Sequence, residues 1–149
     1  MRRWLVLAVT LLVAASCTAS IAGDVEGTWE VTGFDLGGVE HDVTVGVNTV
    51  STPWVAIKDG QLTGNAGCND LDGPVVVADN SSLDMTDVVM SAVLCAPNSG
   101  DDDSMMQVDY AFEAVIWGAP VGITTNGDKM VWTQGDNSIT FVSVDSPPG

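Results

Sequence analysis

Apolar and polar residues alternate along most of the chain, and the alternation predicts strands. From Gly27 to Phe34, Trp29 and Val31 fall on one face and Thr28, Glu30 and Thr32 on the other, as in a half-buried strand. Gly37-Gly38 marks a turn, and Asp42 to Val47 alternates again with Val43, Val45 and Val47 inward. After the Ser51-Thr52-Pro53 break, Trp54 to Lys58 and Gln61 to Asn65 flank Asp59-Gly60. That dipeptide suits a two-residue type I′ hairpin turn, where both central positions need positive φ. Val75-Val76-Val77 and Leu83 to Thr86 are further short strands, with Asp79-Asn80 between them. Val121 to Thr125 and Lys129 to Thr133 flank Asn126-Gly127, a second hairpin signal. Ser138 to Val144 is the last strand, with Ile139 and Phe141 on one face, and a polar, Pro-containing tail follows over 145–149.

The period changes once. From Met105 to Trp117, the residues Met105, Val108, Phe112, Val115 and Ile116 make one stripe at helical spacing. Ser104 and Gln107 have the spacing of a capping box, Gly118 is placed to end the helix, and Pro120 prevents it resuming. About eight or nine short strands and one amphipathic helix predict a mostly β fold. The expected architecture is an antiparallel barrel or roll, closed or nearly so, with the helix over one opening or one face.

The first residues do not belong to that pattern. Arg2 and Arg3 precede a run from Trp4 to Val13 that is apolar except for Thr10, and Ala14, Ala15 and Ser16 are small. This is the build of a signal peptide over 1–16, too short to persist as a membrane span of about 20 residues. Ala14-Ala15-Ser16-Cys17 reads as a lipobox, with Ala14 where Leu is usual, so that Cys17 would receive the lipid. Cleavage after Ser20-Ile21-Ala22 is the alternative and would leave a chain beginning at Gly23. Residues 17–24 would then be a tether, 25–144 one domain and 145–149 a loose tail.

The three cysteines, Cys17, Cys68 and Cys95, favour the lipobox. With Cys17 acylated, Cys68 and Cys95 remain as a candidate disulfide in an oxidising compartment. Two buried free thiols are the alternative.

Charge removes whole classes of function. Loss of Arg2 and Arg3 with the leader takes the formal net charge from −16 to −18. A surface so poor in Lys and Arg does not hold nucleic acid, and its only expected route to a membrane is the lipid anchor. Self-repulsion favours a soluble monomer. The 46% apolar content excludes disorder as the reading of that charge.

The segment Gln61-Leu62-Thr63-Gly64-Asn65-Ala66-Gly67-Cys68-Asn69 resembles the G-x-x-G-C-N signature of META domains, the HslJ-like family. Around it stand an early Gly27-Thr28-Trp29 strand, Gly73, Ser91 ahead of Cys95, the helix, a hairpin and a last strand through Phe141, in the order that family shows. The resemblance spans Val25 to Val144. It departs at Leu71, where an aromatic residue is frequent, and at Val93 and Leu94, where a Met-Ala pair is frequent. It implies a lipocalin-like barrel with one helix, in an envelope or secreted setting. It implies no enzymatic activity; relatives resembling HslJ are associated with heat shock and antibiotic tolerance. Read as residues, Gly64 and Gly67 suit a bend or close strand approach, Cys68 could staple a strand end to the segment before the helix, and Asn69 can bond its own turn or adopt a left-handed conformation.

Other chemistry has little material. His41 is the only histidine, beside Glu40 and Asp42, and there is no Gly-x-Ser-x-Gly elbow, so nucleophilic catalysis and tetrahedral zinc lack parts. An acidic-pair hydrolase is conceivable from 20 acids, which make chance pairs common. Calcium is the one cofactor with candidate ligands: the Asp101-Asp102-Asp103 run and the oxygen-rich loop Asn69-Asp70-Leu71-Asp72-Gly73. The bland reading of the Asp run is favourable charge near a helix N-terminus. Trp29, Trp54, Trp117 and Trp132 are expected in the core, although a barrel mouth could hold a small apolar ligand. The expected function is non-enzymatic binding or stress protection, the partner being an unknown envelope protein or a small ligand carried in the barrel.

Overall fold

Strand β1 (Gly27–Leu36) is the spine on which the chain folds. Both of its edges are paired because its alternating residues serve a core on one face only. The computed structural model describes residues 24–43, 52–79, 81–93, 103–118 and 120–148. Along one edge β1 pairs with β11 (Asn137–Val144). Its other edge is shared by β3 (Trp54–Lys58) and β2 (Val39–Asp42). The remaining strands are β4 (Gln61–Asn65), β5 (Asp70–Pro74), β6 (Val76–Asp79), β7 (Ser82–Asp84), β8 (Val89–Met90), β9 (Val121–Asn126) and β10 (Lys129–Gln134).

Eleven strands make one antiparallel sheet in the order β6-β7-β9-β10-β11-β1-β3-β4-β5-β8, with β2 beside β1. The sheet curls strongly into a half-barrel, carrying one helix among the described residues, α1 (Asp103–Ile116). Val75 alone separates β5 from β6, so the chain itself crosses from one arm of the sheet order to the other. The mostly β fold with one amphipathic helix is as expected.

A bulge in β1 corrects the alternation. The register with β11 shifts between Val31 and Gly33, which leaves Thr32 as an extra, exposed residue. Val31 and Phe34, three residues apart, can therefore both face the core, where 1% and 3% of their surfaces remain accessible. The hairpin turns follow backbone chemistry. Asp59 and Gly60 both have positive φ, at 52° and 74°, as a type I′ turn demands. At the second expected hairpin the central pair is Gly127-Asp128, one residue later than Asn126-Gly127, since Asn126 still pairs with Lys129.

Several expectations need correction. A strand that the alternation did not predict runs at Val39–Asp42, because the tight Gly37-Gly38 turn folds the next residues straight back onto β1; the strand expected from Asp42 to Val47 lies, beyond Val43, outside the described residues. Asn69–Gly73 is not a loop. Asp70–Pro74 is a sheet strand with Leu71 buried and Asp70 and Asp72 outward, so its acids alternate with core residues rather than converging on an ion. Val75 is buried but Val76 and Val77 are exposed, since β6 lies at the end of the sheet order. The helix starts at Asp103, which puts Ser104 inside the first turn instead of at the cap.

Helix α1 packs on β1, β10 and β11 through Val108, Ala111, Phe112, Val115 and Ile116. The Phe112 ring meets Trp132 and Phe141 edge-on, both at 6.2 Å between centroids, and Trp132 lies 4.7 Å from Phe141. This aromatic triad fills the space between helix and sheet. Trp29 is also in the core, its Nε1–H donating to the Val25 carbonyl at 2.9 Å. Trp54 is only half-buried, and Trp117 is 60% exposed because the helix ends one residue earlier and turns that position outward.

Candidate functional site

The signature segment joins β4 to β5, and its glycines have separable reasons. A Cβ on Gly64 would collide with the Trp54 carbonyl oxygen and reach 3.0 Å from the Val55 Cα, so β3 can lie this close only against glycine. Gly67 has φ of 122°, a conformation that side chains disfavour. Gly64→Ala is expected to cost about 2 kcal/mol by forcing the strands apart. Urea denaturation measures it, and an unchanged midpoint would show that the close approach can relax freely.

The turn itself is closed by the Ala66 N–H donating to the Asn69 carbonyl at 2.7 Å and the Gly67 N–H donating to Asn65 Oδ1 at 2.9 Å. Asn69 does something different from what its residue type suggests. Its side chain leaves the turn and ties three distant segments together. Its Nδ2 donates to Asp109 Oδ2 on α1 at 2.8 Å. Its Oδ1 accepts from the Val93 N–H at 2.6 Å and from the Ser91 hydroxyl at 3.3 Å. Ser91 Oγ in turn accepts from the Asp70 N–H at 2.9 Å, and the Ser91 N–H donates to the Asp70 carbonyl at 2.9 Å.

Asp109 completes the network. Its Oδ1 accepts from the Cys68 N–H at 3.5 Å while Oδ2 takes the Asn69 amide. Burial raises its pKa above the ordinary carboxylate value; donation from Cys68 and Asn69 pulls it back, and the nearby Glu113 charge adds to the rise. A buried carboxylate this well supplied with donors is a structural post. Sequence reading missed it, although a signal was present. Asp109 stands four residues after Met105 and three before Phe112, inside the apolar stripe, where an acid must be explained.

Beside this network a cleft of about 270 Å³ opens to solvent, lined by Asn69, Ala92, Val93, Met106, Asp109, Tyr110 and Glu113. Of the expected site residues, Asn69 lines the cleft, Cys68 reaches it through its N–H bond to Asp109, and Gly64 and Gly67 are not part of its lining. Cys17, Cys95, Asp101 and Asp102 lie outside the described residues, as do the side-chain surroundings of Asp103. Among the described residues no three His, Cys, Asp or Glu side chains group as metal ligands, and no helix is long and apolar enough to cross a membrane. His41 does not line the cleft; it is stacked on Phe34 at 5.0 Å in the β1–β2 hairpin.

Comparison with known proteins agrees with this geometry. The META domain model matches residues 21–146. A protein from Burkholderia xenovorans solved by NMR superposes with a TM-score of 0.62 at 12% identity, over 97% of this chain and all (100%) of that one. A second NMR structure gives a TM-score of 0.60 at 14% identity, over 81% of this chain and 92% of that one. At such identities the likeness is one of fold. No protein of curated function matches the sequence.

Proposed function

The chain belongs to the META domain family, and on that premise we propose that it is an exported, lipid-anchored, HslJ-like member that works by binding at its outer surface and catalyses nothing. One observation carries this reading: among the described residues the core is tightly packed. Trp132, Phe112, Phe141, Leu62, Met85 and Met130 are each less than 2% accessible. The depression between α1 and β8, lined by Leu71, Val88, Met90, Phe112, Glu113, Ile116 and Trp117, is open to solvent and has a volume of about 0 Å³. An apolar ligand carrier needs a cavity of roughly 300 Å³ or more. The room found among the described residues near the signature is the external cleft along α1. Mapping amide shifts against a neutral naphthylamine dye tests this. Trp132 and Phe141 are expected to stay unmoved, and saturable shifts there would replace the surface reader with a carrier.

The hydrolase alternative is weakened by how Asp109 is used. Both of its oxygens accept hydrogen bonds from the signature turn, so it holds that turn rather than standing ready to pass a proton.

The export reading rests on the leader and on the thiols. Val93, two residues before Cys95, is hydrogen-bonded to the side chain of Asn69, the residue after Cys68. Two residues of chain reach about 7 Å, so a Cys68–Cys95 bridge is within range. Intact-mass measurement on the protein from its native membranes is expected to show a diacylglyceryl adduct on Cys17 and two hydrogens fewer than the reduced chain. A product starting at Gly23 without lipid would remove the anchor.

A further inference from the structure

Along α1 the external cleft and a shallow depression lined by Trp117 share Glu113, and together they form a groove. Met106, Tyr110 and Glu113 follow one another at steps of four and three and so share a face of α1, and Trp117, one residue past its end, donates its N–H to the Glu113 carbonyl at 3.2 Å and stays beside them. Tyr110 is 53% and Trp117 60% exposed, and Val93, 61% exposed, lines the cleft with Tyr110. Large apolar side chains left in water next to one another mark a surface that meets something. The rise from Met106 to Trp117 is about 16 Å, the length of about five residues of extended peptide.

Charge decides what that something is. Glu113 lies midway along the groove with Asp109 behind it, and neither Lys58 nor Lys129 lines it. A second copy of this chain would bring its own net charge of −16 and be repelled, as would any polyanion. A partner carrying positive charge is drawn in, and an aromatic rim accepts cations on its ring faces as readily as it packs aliphatic carbon. We propose that the groove binds an extended segment of a partner protein in which Lys or Arg alternates with apolar residues. Tyr110, Trp117 and Val93 take the apolar side chains and the aliphatic stems, and Glu113 meets a cationic head. This rests on the outer surface being the working one.

The full chain is titrated with the blocked peptide Lys-Leu-Lys-Leu-Lys, followed by indole emission and amide shifts. Saturable binding that moves Tyr110, Glu113 and Trp117 is expected. Glu113→Gln and Trp117→Ser should each weaken it about tenfold, as loss of a charge-assisted bond or an aromatic anchor does. Asp136→Asn, an equal loss of charge in the exposed β10–β11 turn, should leave it within about twofold. The proposal is overturned if Glu113→Gln and Asp136→Asn act alike, if Glu-Leu-Glu-Leu-Glu binds as well, or if no peptide shifts the groove. Binding of neutral Ser-Leu-Ser-Leu-Ser with equal strength would also overturn the cationic class while leaving a surface reader. Shifts at Trp132 and Phe141 instead of the groove would overturn the surface reading as well.

Discussion

Replacing Phe112 by Ala is expected to lower the unfolding free energy by about 4 kcal/mol, near the top of what one core truncation costs. The ring is fully buried, touches Trp132 and Phe141 edge-on, and is the main anchor of α1 on the sheet. Its neighbours are aromatic rings held by strands paired on both sides, so the hole cannot close cheaply. Chemical denaturation gives the loss directly, and near-ultraviolet circular dichroism should report the loosened Trp132. Phe112→Leu, which keeps much of the volume, should cost about 1 to 2 kcal/mol. If Phe112→Ala cost less than Phe112→Leu is expected to, the helix would not be held by this triad. The outcome also bears on function, since a vacated ring would open an interior cavity where the described residues are closely packed.

Asn69→Ala is expected to cost about 3 kcal/mol at neutral pH and less in acid. The amide's oxygen and nitrogen serve Val93, Ser91 and Asp109, and its removal leaves a buried carboxylate and a backbone N–H short of a partner. The pH dependence follows from Asp109. Burial raises its folded pKa, so the folded chain keeps that proton to higher pH than the unfolded chain does. Between the two values stability falls as pH rises, because the folded state must give up a proton the unfolded state has already lost. Without the Asn69 donor the folded value rises further and the window widens. The gap between wild type and Asn69→Ala should therefore grow upward from about pH 4, the unfolded carboxylate value. Urea midpoints of both proteins across that range measure it. A gap independent of pH would mean that the amide acts only through Val93 and Ser91.

These two residues show how unevenly the sequence discloses its structure. Phe112 was legible because helical spacing places it on the stripe with Val108 and Val115, and that stripe faces the sheet as expected. The Asp59-Gly60 turn, the core position of Trp132 in β10 and the inward face of β11 were legible for the same local reason, whereas in β3 Val55 and Ile57 face inward and not the expected Trp54. Asn69 was legible as part of a signature but not in its role. Its partners lie 22, 24 and 40 residues away, and no local pattern encodes separations that the sheet alone sets. β5 was hidden because Asp70 and Asp72 resemble loop residues until β4 and β8 pair on either side of them.

By itself the sequence determined the class of fold, the amphipathic helix before the last strands, the turn chemistry and the extreme acidity, all of which follow from residue type and spacing over a few positions. Tertiary structure alone decided that the described core of the half-barrel is closely packed, that Asp109 and Asn69 meet, and that Tyr110 and Trp117 remain in water beside Glu113. Packing density, hydrogen bonds across forty residues and exposure are properties of surfaces brought together, and those surfaces exist only once the sheet has curled around the helix.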